Sequence, residues 1–464
     1  MKNCTKKLLF TIILIGCMTF LKAQETKSAL DTLPGNVEQL QSGMTLLNKL
    51  KISGYIQAQW QMADTIGSQA AFSGGNFSGT DNRFMVRRGR IKFAYTNDFS
   101  QYVLQFDVTE KGVGIKDAYV AFTDPWVKFF TVTGGAFNRP FGYEIEYSSS
   151  SRETPERSRI FQTLFNQERD LGAKLTLQAP KTSRWNFIKL DLGMFTGNGL
   201  NPETDKYKDF IGHLYANKSF MNENLNVGLG VSYYNGGWAN QNNALNKPNY
   251  VYKMAGTSFV KDSSYAAGAK IGRQYYGLEA QVNLNSVIGI TTVRGEYLWG
   301  TQPGTASTSV SPTGIWTSTT SVIVRDTNNK VQTISAATIN SEAYIRNFSG
   351  GYVYFIQSIG HTKHELVVKY DWYDPNTKIS GNQIGVKGTN TSTSKGEAPD
   401  IKYATLGLGW NYHWNSNVKI TAYYEIVTNE TTNAPSLAAK NNGTKTFAKD
   451  QKDNVFTLRV QYRF

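Results

Sequence analysis

From Lys51 to the carboxy end, apolar and polar residues alternate in short runs, and this alternation dominates the chain. Successive side chains of an extended strand point to opposite faces. In the last run, residues 454–464, Phe456, Leu458, Val460, Tyr462 and Phe464 therefore share one face, and Val455, Thr457, Arg459, Gln461 and Arg463 share the other. The same two-sidedness sets Tyr102, Leu104, Phe106 and Val108 against Gln101, Gln105 and Asp107. It also sets Leu366, Val368, Tyr370 and Trp372 against Glu365, Lys369 and Asp371. The pattern predicts sixteen strands, at 51–60, 83–96, 100–109, 114–123, 127–137, 171–179, 185–195, 208–220, 225–235, 268–284, 287–300, 346–357, 362–373, 401–413, 417–428 and 454–464.

The connections alternate as well. Even-numbered ones are short, such as NDFS and NSN, and odd-numbered ones are mostly long, the longest covering 138–170, 236–267 and 301–345. Tight turns on one side and large loops on the other are what a transmembrane barrel requires, and a soluble sandwich has no reason to produce them. The eleven residues of the last run extend about 36 Å at roughly 3.3 Å each. A tilt near 45° projects that to about 25 Å, the height of the apolar band of such barrels. An open sheet edge inside a bilayer would leave backbone groups unpaired, so the last strand must close against the first. The expected fold is all-β, a transmembrane antiparallel β-barrel of about sixteen strands, with 138–170, the third outer connection, folded inward.

Composition sharpens this picture. Aromatic residues make up 13% of the chain, with Tyr 26 and Phe 25, and Gly 42 accompanies them, which suits many strands with aromatic girdles. The one long apolar run, LLFTIILIGCMTFLKA after Lys6 and Lys7, is too short to span and reads as a secretory leader, residues 1–23, cleaved after Ala23. Acylation of Cys17 is the competing reading of that stretch. Both cysteines, Cys4 and Cys17, lie in the leader, so its removal leaves no thiol or disulfide. Residues 24–49 are polar with a weak stripe of Val37, Leu40, Met44 and Leu47 and are expected to be a short periplasmic segment before the barrel at 50–464. The four leader lysines account for four of the +14 formal charges, leaving +10, a field that favours anionic partners.

The second strand, RFMVRRGRIKFAYT, places Arg88, Arg90 and Lys92 on one face. At the lipid midplane each would cost up to about 4 kcal/mol, so they must face water and form a basic ladder for anions. Arg87 has the opposite parity and lies above the apolar band, snorkels, or marks a bulge. The long 138–170 connection carries Arg139, Arg152, Arg157, Arg159 and Arg169 beside Glu144, Glu146, Glu153, Glu156, Glu168 and Asp170. Opposed charges at a constriction would give a transverse field. The run Ser148 to Ser151 offers hydroxyls to oxyanions beside Arg152, or is a flexible tip. Arg294 is a further lumen cation expected to set selectivity.

The order RRGRIKF, YVLQFDV, IKDAYVAF, GAFNRPFG, ERS and RDLGAKL resembles the phosphate-selective porin O and P family of Gram-negative outer membranes. The resemblance covers essentially the chain after the leader and is closest over 83–172. It implies a sixteen-stranded barrel, a homotrimer, a periplasmic amino-terminal segment and a stair of arginines leading anions to a constriction. It carries the basic strand over to Arg87, Arg88 and Arg90, and the inward loop to Ser149, Ser150, Arg157 and Arg169. The chain departs from that pattern in offering Gln57 and Gln59 on its first strand and in crowding the loop with acids. The terminal Phe464 resembles the signal read by outer-membrane assembly machinery, an expected partner together with outer-membrane lipid.

The expected function is an outer-membrane porin passing small hydrophilic anions, phosphate or polyphosphate among them. The alternatives are an unspecific or sugar-passing porin, a surface adhesion barrel, or an embedded hydrolase. No cofactor is called for. His361 and His364 at a tight turn lack the glutamate of an H-E-x-x-H metal motif, so no metal site is expected. No Gly-rich phosphate loop occurs, and the dispersed basic residues do not form a nucleic-acid surface.

Overall fold

The computed structural model describes residues 49–66, 68, 77, 79–242, 248–312, 317–325, 331–340, 342–385, 393–394, 396, 398–432 and 447–464. The chain divides into residues 1–51 and 52–464. The expected leader at 1–23, the Cys17 alternative and nearly all of the 24–49 segment lie outside the described residues.

Sixteen strands form the wall: β1 (Leu50–Ala63), β2 (Asn82–Asn97), β3 (Ser100–Thr109), β4 (Gly112–Thr123), β5 (Phe130–Asn138), β6 (Arg169–Gln178), β7 (Ile188–Phe195) and β8 (Asp209–Phe220) come first. They are followed by β9 (Leu225–Ala239), β10 (Lys270–Ser286), β11 (Gly289–Gly304), β12 (Ala343–Ser358), β13 (His364–Asp374), β14 (Tyr403–His413), β15 (Val418–Asn429) and β16 (Val455–Arg463). Each strand pairs with the next. The ring closes where β16 runs antiparallel to β1, with Tyr55 opposite Arg463 and Ala63 opposite Val455. Every wall strand therefore has both edges paired, as backbone in hydrocarbon demands.

The alternation sorts side chains as expected. On β16, Leu458 is 41% exposed on the outside and Arg459 is 3% exposed inside. An outer aromatic row runs across β9 to β13, with Tyr233 and Tyr276 at 5.3 Å, Tyr276 and Trp299 at 5.6 Å, and Tyr370 and Trp372 at 5.8 Å between ring centres. Rings in such a row suit the boundary between hydrocarbon and water. No helix among the described residues is long and apolar enough to cross a membrane.

Two boundaries shift for local reasons. β5 begins at Phe130 and not at 127, because the Asp124 carboxylate accepts the N–H groups of Trp126 and Val127 and Lys128 takes φ 54°, which holds 124–129 in a turn. β7 begins at Ile188, three residues late, where the Asn186 side-chain amide donates to the Ala179 carbonyl and rounds off the preceding turn. The wall is uneven in height: β3, β4 and β5 have 10, 12 and 9 residues, and β10, β11 and β12 have 17, 16 and 16.

Above the tall side, the outer connections fold on one another. A hairpin of Val251–Ala255 with Ser258–Asp262 pairs in parallel with the start of β12 and antiparallel with residues 393–394. Ile379, Ile384, Ile401 and Phe447 form a small apolar core there. Residues 317–325 and 331–340 pair as a separate two-stranded ribbon.

Candidate functional site: the inward loop and the charged bore

The connection from β5 to β6 enters the barrel. It contains two short helices, α1 (Gly142–Glu146) and α2 (Arg159–Leu164). Its apolar residues Phe141, Ile145, Ile160, Phe161, Leu164 and Phe165 are all buried against inward-facing residues of β8 to β13. Phe165 lies tilted 5.0 Å from Phe141 and meets Tyr275 of β10 edge-on at 5.8 Å, and Phe161 lies 6.0 Å from Tyr352 of β12. Each such side chain contributes about 1.5–3 kcal/mol by leaving water. A water-filled bore has no other reason to carry these rings on its inner wall.

The start of α1 is fastened by polar groups of the same wall. The Gly142 N–H donates to Ser232 Oγ at 2.9 Å. Glu296 accepts from the Tyr143 N–H at 3.0 Å, from the Glu144 N–H at 2.6 Å and from the Tyr352 hydroxyl. Gly142 has φ +63°, and a Cβ there would collide with the Glu296 carboxylate that accepts these bonds, so glycine is favoured.

The rest of the loop crosses to β14, β15, β16, β1 and β2, where hydrogen bonds and ion pairs hold it. Ser149 Oγ is 2.5 Å from the Tyr55 hydroxyl and accepts from Arg90 at 3.2 Å, while its carbonyl accepts from Gln57 at 2.9 Å. The carbonyls of Ser150, Arg152, Glu153 and Pro155 accept from Gln461 at 2.8 Å, Lys419 at 2.7 Å, Asn411 at 2.9 Å and Arg459 at 2.7 Å. At the centre, the Glu156 carboxylate is shared by Arg87 at 2.9 Å, Arg88 at 2.7 Å and Arg459 at 3.0 Å. Burial alone would raise the Glu156 carboxyl, but the guanidinium groups of Arg87, Arg88 and Arg459 hold it well below the usual carboxylate range. Glu168 behaves likewise between Arg157 and Arg169, and burial pushes the Arg157 guanidinium down to about 10 against the pull of Glu168.

These contacts place each residue expected from the sequence. Arg87 and Arg88 both point inward, so the parity break is a bulge-like switch in alternation: Arg83 reaches Gln61 on the bore side before it, and Arg88 and Arg90 follow on that side after it. Arg90 also meets Asp107 at 3.4 Å, Arg139 meets Asp170 at 2.8 Å, Arg169 meets Asp117 at 2.9 Å, and Arg294 pairs with Glu153. Arg159 lies 4.0 Å over the Tyr403 ring, and the Ser150 hydroxyl turns back to Ser148. Lys92, half-buried further down β2, takes no part in this network. Arg152 differs from the other arginines: it is 2% exposed, and none of its three guanidinium nitrogens has a hydrogen-bond partner among the described residues.

Sequence reasoning named Glu156 only as one of six loop acids and Gln57 and Gln59 only as departures from the family pattern, and missed that the carboxylate organises the site and that the glutamines support it. Gln57 and Gln59 are not bystanders: their side-chain carbonyls accept from Arg88 at 3.0 Å and from Arg459 at 2.8 Å and aim both guanidinium groups. The alternation of QAQWQ on the first strand, opposite the arginines of the second and the last, was the available signal.

A family model described as phosphate-selective porin O and P matches residues 70–301. Among solved structures, the chain is similar to an anion-selective porin from Comamonas acidovorans, with 9% identity, a TM-score of 0.50, and coverage of 89% of this chain and 99% of that one. It is also similar to OmpT of Vibrio cholerae in its trimer form, at 11% identity and TM-score 0.47, covering 89% and 99%. The outer membrane channel DcaP of Acinetobacter baumannii gives 11% identity and TM-score 0.47, covering 89% and 97%. At 9% identity, the likeness to the Comamonas porin speaks to fold alone. No curated protein sequence matches the chain.

Proposed function

The chain belongs to the phosphate-selective porin O and P family, and on that premise we propose that its bore passes small hydrophilic anions by diffusion, phosphate among them. Membership makes it an outer-membrane β-barrel channel, and it supports reading the chain as a channel rather than an enzyme. The observation that carries anion preference is Arg152. Arg88, Arg90, Arg139, Arg157, Arg169 and Arg294 each face a carboxylate, so their charge is largely cancelled within the protein. The Arg152 guanidinium is equally buried and has no such partner among the described residues. A buried ion without a counter-charge is unfavourable by several kcal/mol, and its uncancelled positive field favours a passing anion over a cation without a direct contact that would trap it. Lys92 and the serine hydroxyls support the same path.

Three further assignments go with this reading. Residues 1–23 act as an export leader, residues 24–49 as a periplasmic segment, and the carboxy-terminal strand as the element read by the assembly machinery. Assembly is as a homotrimer, which the family resemblance implies. The low wall of β3 to β5, with Val113, Ile115 and Phe122 exposed on its outside, supports it as a surface a neighbouring copy would cover.

The test is the reversal potential of purified protein in a planar bilayer under a salt gradient. Arg152→Gln is expected to move it toward cations, and an unchanged value overturns the assignment. A second reading, an unselective porin, draws on the cancelled charges of the other arginines. It predicts that phosphate leaves the chloride current unaltered, where the first predicts competition.

A further inference from the structure

At the far end of α1 from its Ser232 and Glu296 anchors, three residues from distant parts of the chain converge. Glu146 ends the helix, Asp191 lies on β7, and His213 is its cross-strand partner on β8. Each offers one ligand atom, and the three atoms lie within 4.8 Å of one another. Sequence offered no metal motif here, because no two of these positions are close along the chain.

His213 supplies a second, separate observation. It is 2% exposed, and its Nε2 lies 3.0 Å from Glu279 Oε1. A carboxylate only accepts, so Nε2 carries the proton. Nδ1 is then a bare lone pair, and it is buried with no hydrogen-bond partner among the described residues. An imidazole oriented by a carboxylate on one nitrogen and left open on the other is how a metal-ligating histidine is prepared.

The cation now between the carboxylates is an ammonium. Lys189 Nζ lies 3.1 Å from Glu146 Oε2 and 3.0 Å from Asp191 Oδ2. Lys174 Nζ approaches Asp191 Oδ1 at 3.5 Å, and the Thr176 hydroxyl also donates to Asp191. The Lys189 side chain is 25% exposed and borders a cavity of about 530 Å³ that it lines with Tyr215 and Asn217. The ammonium can therefore swing away without losing water.

We propose that Glu146, Asp191 and His213 form a site for a borderline divalent transition-metal cation of the Zn²⁺ class, for which the Lys189 ammonium is the competing occupant. One imidazole and two carboxylates, with a further position open, suit Zn²⁺ and disfavour Mg²⁺ and Ca²⁺, which take oxygen ligands. In the exchange the metal gains the Nδ1 lone pair and two carboxylate oxygens, Lys189 leaves for the cavity still protonated, and no proton is released. The bound metal fastens the loop, through Glu146, to two wall strands. The positive charge of Lys174 and Lys189 makes the site weak in the native chain. The proposal is independent of which ion the bore prefers.

The test is titration of chelator-treated full-length protein in detergent with Zn²⁺, read calorimetrically, and with Co²⁺, read by its visible absorption. One saturable site per chain is expected. Lys189→Met, which removes the competitor, is expected to tighten binding by about tenfold or more, the order that deleting an adjacent unit charge gives. Glu146→Gln, at a residue still partly exposed, and His213→Ala are each expected to weaken binding at least about tenfold. Absence of binding in both the native chain and Lys189→Met overturns the site. Binding no tighter in Lys189→Met, or unchanged in Glu146→Gln, also overturns it, and neither of these depends on His213→Ala folding.

Discussion

The inward loop is held by two unlike faces. Toward β8 to β13 it presents Phe141, Phe161 and Phe165 to a cluster of inner-wall aromatics, a contact indifferent to salt and to the sign of a passing ion. Toward β16, β1 and β2 it presents backbone carbonyls, Ser149 and Glu156 to glutamines and arginines. The first face fixes where the loop is. The second carries the charged groups of the contact. A channel built this way separates the rigidity of its constriction from the chemistry of its constriction, so either should change while the other persists.

The largest effect is expected on the apolar face. Phe165→Ala should lower stability by about 3–5 kcal/mol, the usual loss for a buried phenylalanine, and should free the loop. A fall in thermal midpoint together with a larger, noisier single-channel conductance would show this, and an unchanged conductance would deny the anchor its role. Glu156→Gln attacks the other face. It leaves Arg87, Arg88 and Arg459 sharing a neutral amide, and should cost about 1–3 kcal/mol. It should also raise anion over cation permeability, and an unaltered reversal potential would mean that this carboxylate does not set the field.

The smallest effect is expected from mild acid. The folded Glu156 carboxyl titrates well below its unfolded value because of its three arginines, and an unperturbed glutamate titrates near about 4.3. Its contribution is therefore whole above that unfolded value and is lost as pH falls from there through the depressed folded value. The difference in thermal midpoint between the native chain and Glu156→Gln should stay constant from about pH 7 to about pH 5. A difference that shrinks over that window would show that the arginines do not hold the carboxylate.

The wall was legible because period-two alternation is a local signal: all sixteen strands appear within a few residues of the expected places. Turn chemistry accounts for the differences, as at Asp124 and Lys128, where a capping carboxylate and a left-handed residue delay β5. The loop's entry into the bore was legible from its length and its own apolar residues. Its bonding was not. Glu156 draws its partners from β2 and β16, residues at opposite ends of the barrel sequence, and only closure of the ring brings them together. The same holds for Glu146, Asp191 and His213, and for the solitude of Arg152, since no pattern in the chain says which of many arginines will lack a carboxylate.

The β16 to β1 contact joins the earliest wall strand to emerge from the ribosome to the latest. Until those two raw edges meet, no height of the wall is watertight, and each unpaired N–H along them is open to a stranger's backbone. A barrel of this topology satisfies all of its wall backbone only when the last strand has met the first.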